Sequence, residues 1–154
     1  MSVKIVDDKR AWDRLVRELE ATGDKEVVVG IQQGATNDGL LVAEYATWNE
    51  FGTRTIPSRP LMRSYFDSSI DDLTSFSARG IAMVISGRGT MNQFFNVAGV
   101  RMVNGVKKSI NNGAWVPNSP VTISLKGSDK PLIDTGVMLN SVTFAIHKYG
   151  DTKA

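Results

Sequence analysis

The stretch Leu40 to Arg63, LLVAEYATWNEFGTRTIPSRPLMR, restricts the fold of this chain more than any other. Leu41, Tyr45 and Trp48 recur at i, i+4 and i+7, the spacing of an apolar helical stripe, and Phe51 extends it. Gly52 follows where a helix closes with a left-handed cap. Pro57 and Pro60 then enclose Arg59, and residues before proline avoid the α region, so 53–60 reads as a stiff, non-helical loop. Pro60 suits the first turn of a second helix. The loop therefore sets how the two halves of the domain meet. It presents Arg54, Ile56, Pro57, Arg59, Pro60 and, one turn on, Arg63 as candidate contacts to a partner.

On the N-terminal side, Val3 to Val6 reads as a short edge strand, and Asp7 or Asp8 offers an N-cap for a helix from about Lys9 to Ala21. Trp12, Leu15, Val16 and Leu19 share one face of that helix, and Gly23 ends it. Glu26 to Gln32, EVVVGIQ, is short and rich in β-branched residues, as in a buried strand. Gln33 to Gly39 is a polar turn, after which Asp38 is placed to cap the central helix. Gly30, Gly34 and Gly39 suggest a phosphate cradle only superficially. A Walker loop ends in Gly-Lys-Ser/Thr, whereas Gly39 is followed by Leu40 and Leu41, and no GxGxxG is present.

Beyond the loop, Leu61 or Met62, Phe66, Ile70, Leu73, Phe76, Ile81 and Val84 keep near-helical spacing as far as Ser86. Gly87 to Gly89 interrupt it, Thr90 can cap a second long helix, and a helix pair joined by so short a turn forms an antiparallel hairpin, here from Pro60 to Asn112. Gly80, Gly99 and Gly105 lie inside it. Each lowers helix propensity by about 1 kcal/mol relative to Ala, which implies bends or close packing at those points. In the C-terminal third, Ser119 and Pro120 start a short helix through Leu125, and Asp134 or Thr135 caps another at Gly136 to Ser141. Val142, Phe144 and Ile146 alternate with Thr143, Ala145 and His147 in a half-buried strand, and the tail from Tyr149, above all 151–154, is expected to fray.

With 154 residues and no Cys, the chain has the length of a single domain, here 1–150, without disulfides or thiolate chemistry. Met1 to Val6 is too polar for a signal peptide, and the longest apolar run, Ile81 to Ile85, is far short of a membrane span, so a soluble protein without a membrane partner is expected. Leu-Ile-Asp-Thr-Gly at 132–136 imitates the active-site run of dimeric aspartic proteases. The 18 residues after Gly136 leave no room for the flap and second strand such an enzyme needs. His147 is the single histidine, and no Gly-x-Ser-x-Gly elbow occurs. Neither an enzyme nor a metal or other cofactor is expected. Net charge is +2, yet Arg79, Arg88, Arg101, Lys107 and Lys108 form a region without an acidic residue, which supports an alternative role as a nucleic-acid-binding accessory protein.

The runs AEYATWNEFGT, IPSRPLMR and PLIDTGVMLNSVTF, in this order, resemble the minor tail-component proteins of tailed bacteriophages. The resemblance covers roughly 29–66 and 115–144, and it is silent on 67–112. It implies a non-enzymatic virion protein of the neck that completes the tail and joins it to the head. The implied partners are further copies of the chain in a ring, a hexamer or a dodecamer, and neighbouring neck and tail proteins, with non-specific contact to DNA in the channel. The implied location is the virion, and the host cytoplasm during assembly. The residues themselves predict an α+β fold, a small antiparallel sheet packed against helices with a long helical hairpin, whose few strands leave edges for neighbouring copies to cover.

Overall fold

A computed structural model describes residues 9–31 and 34–151. Among these residues the order is α1 (Lys9–Thr22), β1 (Lys25–Ile31), β2 (Thr36–Asn37), β3 (Leu40–Leu41), α2 (Val42–Phe51), α3 (Arg63–Ser68), α4 (Ile70–Ile85), α5 (Met91–Asn112), α6 (Pro120–Lys126), α7 (Val137–Ser141) and β4 (Val142–Lys148). The fold is α+β, about 57% helical, with two antiparallel sheets of two strands each.

The β-branched run of β1 pairs antiparallel with β4, setting Val27 opposite Ile146, Val29 opposite Phe144 and Ile31 opposite Val142. These six side chains share one face because strand residues alternate. The alternation expected of Val142, Phe144 and Ile146 thus holds, and α5 packs across both strands. The main core joins Val42, Ala46, Leu61, Val106, Ile110, Met138 and Val142, while Val84, Phe94 and Ala98 form a smaller cluster inside the α4–α5 hairpin. Among the described residues β1 and β4 pair only with each other, so no described strand pairs the far edge of either.

The glycines inside the hairpin serve close packing. A Cβ on Gly99 would lie 2.2 Å from a ring carbon of Phe144, and one on Gly80 would lie 2.2 Å from the ring of Phe94. Gly99 is therefore a point of close approach between α5 and the sheet. Gly99→Ala is expected to lower stability by about 1 to 2 kcal/mol, because overpacking outweighs the gain in helix propensity. A denaturant melt checks this, and a smaller residue at Phe144 in the same chain should recover part of the loss.

Several expectations are corrected. The hairpin forms, but its first arm is not one helix from Pro60. Helix α3 begins at Arg63, and Ser69, at φ −112 and ψ 8, divides it from α4. Asp38 does not cap α2. It holds φ 50 in the tight β2–β3 turn, and Leu41 stands at the N-cap with no side-chain bond. The buried row of α2 is Val42, Ala46 and Glu50, whereas Leu41 and Phe51 are exposed and Tyr45 and Trp48 half-buried. The stripe expected there is rotated: Val42 and Ala46 enter the core cluster, and Tyr45 packs against it only half-buried. On α1, Leu15 and Val16 are half-buried, but Trp12 stays 66% exposed and Leu19 is exposed as well. Gly136, at φ 78, occupies the N-cap of α7 in place of Asp134 or Thr135. The turn after β4 is tied down rather than frayed as far as Asp151, with Tyr149 N–H donating to Asp24 O and Gly150 N–H to Glu26 Oε1. The strand at Val3 to Val6, the cap at Asp7 or Asp8 and residues 152–154 lie outside the described residues.

Other caps form as expected. Thr90 and Gln93 make a reciprocal capping box at the start of α5, and Ser119 accepts from Thr122 N–H at the start of α6.

Candidate functional site

The proline loop is held from within by two charged residues of opposite sign. Gly52 leaves α2 at φ 78, and its N–H donates to Trp48 O. A Cβ at Gly52 would lie 3.0 Å from Ser58 N, so the loop folds back against its own start. Thr53 then accepts from the N–H groups of Thr55 and Ile56, and Thr53 N–H donates to Ile56 O at 2.8 Å. This local turn keeps the tip of the loop closed without help from the core.

Arg59 is the first staple, and it is not presented as the two prolines suggest. It is 6% exposed, its Nε donates to Val116 O at 2.8 Å, Nη1 to Asn49 Oδ1 at 3.2 Å, and Nη2 to Pro117 O at 3.2 Å and Asn118 Oδ1 at 3.3 Å. Its acceptors are neutral. Burial pushes its pKa below the usual arginine value. A planar fork reaching four acceptors is arginine chemistry that lysine cannot copy. Asn118 passes the connection on, donating to Asp129 O and Lys130 O, and Lys126 Nζ donates to Lys130 O and Ile133 O.

Glu50 is the second staple. It is 8% exposed, and its carboxylate accepts Met62 N–H at 2.9 Å, Arg63 N–H at 3.1 Å and Arg63 Nε–H at 3.0 Å. It lies in the last turn of α2, where the helix dipole disfavours a negative charge, but it meets the first turn of α3, where the dipole favours one. Glu50 therefore joins two helices across the loop. Its backbone oxygen accepts from Ser58 Oγ and from Arg63 Nη2, and Arg63 lies over the Phe51 ring at 5.0 Å.

Of the six residues expected to meet a partner, Arg54 and Pro57 are exposed, Ile56 and Pro60 are half-buried, Arg63 is exposed while paired with Glu50, and Arg59 is inside. Ile56, Pro57 and Arg59 line an open cleft of about 720 Å³. Its other walls come from the β2–β3 turn, the segment 117–119, α6 and residues 132–138. Tyr45 also lines it. Burial raises the Tyr45 pKa, and a weaker opposite pull comes from its hydrogen bond to Asn37. Leu132 holds φ 61 on the wall, a left-handed conformation that costs a leucine strain. The run Asp134-Thr135-Gly136 lines the same cleft, with Asp134 exposed.

Reading the sequence placed the loop but missed both staples. Glu50 had one available signal, its place four residues after Ala46 and eight after Val42 on the buried row of α2. The acceptors of Arg59 at 116–118 lie far along the chain and have no pattern that announces them. The basic residues of the hairpin are spread along both of its helices and the turn between them. Arg79 and Arg88 belong to α4 and the turn after it, Arg101 pairs with Asp72 at 2.6 Å and covers the Phe76 ring, and Lys107 and Lys108 lie far down α5. Comparison with protein-family models, with curated proteins and with solved structures finds no match.

Proposed function

We propose that this chain is a structural protein of a tailed-phage neck, which assembles into a ring, completes the tail and joins it to the head. The observation that carries the reading is the doubly stapled loop. Arg59 and Glu50 fix its base, so Arg54 and Pro57 are held out in a set direction, as a docking element requires. The resemblance of this same stretch to tail-component proteins supplies the class of partner. Two further features support assembly: the outer edges of β1 and β4, which no described strand pairs, and exposed apolar residues on α6, where Leu125 is 83% exposed. A neighbouring copy covering these surfaces removes unpaired strand groups and apolar area from water together. The work of such a protein is assembly and docking rather than turnover.

Native mass spectrometry of the purified chain should show a ring of one defined size, a hexamer or a dodecamer. Adding the protein to separately purified heads and tails should raise the number of joined particles. A chain that stays monomeric at assembly concentrations, fails to join particles and is retained on DNA in a salt-sensitive way would transfer the assignment to the nucleic-acid-binding alternative.

A further inference from the structure

We infer that α4 is a self-pairing surface through which two copies of this chain meet antiparallel across a two-fold axis. Ile70, Thr74, Ala78, Ile81 and Ile85 follow one another at spacings of four, four, three and four residues, which keep them in one stripe along the helix. All five are exposed, Ile70 at 64% and Ile85 at 53%. They lie to one side of the row Leu73, Phe76, Gly80 and Val84 that α4 turns toward its own domain. The stripe carries no charged residue.

Its symmetry identifies the occupant. Ile70 and Ile85, and likewise Thr74 and Ile81, are placed evenly about a point between Ser77 and Ala78. A second copy running the opposite way therefore sets Ile70 on Ile85 and Thr74 on Ile81, in the isologous arrangement of a two-fold contact. The charges agree with that direction. Asp67 and Asp71 are exposed near the Ile70 end, whereas Arg88 follows the Ile85 end and the Arg14 guanidinium lies over Gly87 beside it. Antiparallel pairing brings acid toward base at both ends, and parallel pairing would bring like toward like. This contact differs from the head-to-tail contact that closes a ring, and it stands whether or not the neck reading holds.

The absence of Cys makes disulfide trapping a clean test. Ala78→Cys, beside the axis, should cross-link under mild oxidation on the order of tenfold faster than Glu44→Cys, an exposed position on α2 outside every proposed contact, because a bound pair holds its thiols at a high effective concentration. Adding Ile81→Asp should remove that advantage while the melting temperature stays unchanged. Should Ile81→Asp disturb the fold, Arg88→Glu on the exposed turn supplies the second reading: it slows trapping at Ala78→Cys, and Asp71→Arg in the same chain restores it. Equal trapping at the two cysteine positions, or trapping that neither change affects, overturns the pairing.

Discussion

Glu50→Ala is expected to lower stability by about 3 kcal/mol, which for a domain of this length moves the melting temperature down by roughly 6 to 12 °C. The size follows from what loses its partner. The Met62 and Arg63 N–H groups are left without their acceptor at the start of α3, and an unsatisfied buried donor costs about 1 to 3 kcal/mol. The ion pair itself adds little, since the Arg63 side chain is 52% exposed and such pairs contribute about 0 to 1 kcal/mol. Glu50→Gln keeps an acceptor oxygen and should cost about half as much, and Arg63→Ala should cost less than 1 kcal/mol. Thermal melts of the three variants give the order. An Arg63→Ala loss equal to that of Glu50→Ala would show that the pair, and not the capping of α3, holds the loop.

The parts legible in the sequence are those set by local chemistry. The β-branched runs at Val27 to Val29 and Val142 to Ile146 became the two long strands, the Thr90 and Ser119 caps formed as spaced, and the hairpin glycines proved to be contact points. The errors share one cause. Asp38, Asp134 and Pro60 each satisfy a local rule for starting a helix, but a tight hairpin turn, a left-handed Gly136 and the grip of Glu50 on Met62 and Arg63 fixed the starts elsewhere. Tertiary hydrogen bonds outweighed propensities of a few tenths of a kcal/mol to about 1 kcal/mol. The candidate site shows the same division. That 53–60 is stiff follows from two prolines, whereas the direction in which Arg59 points depends on carbonyls at Val116 and Pro117 that approach only in the folded chain.

That division separates the two arginines of the loop. Arg59→Ala should fold with a melt reduced by an amount corresponding to about 2 to 3 kcal/mol, because Val116 O, Pro117 O and the side-chain oxygens of Asn49 and Asn118 lose their donor. The loss stays below the sum of four charged hydrogen bonds, since removing a buried cation also relieves its desolvation. Arg59→Lys should recover only part, a single ammonium being unable to span the fork. Arg54 is exposed at the tip of the turn closed by Thr53, so Arg54→Ala should melt as the parent does. If the loop docks a neighbouring ring, that same variant should join heads to tails slowly and with a steep dependence on salt, as expected when a charge steers association. The measurement is particle counting after mixing purified heads, tails and variant, with a thermal melt on each preparation. Normal joining by Arg54→Ala would reduce the loop to a connector between α2 and α3. A joining defect in Arg59→Ala alone, in proportion to its lowered melt, would show that the arginines serve the fold and not the contact.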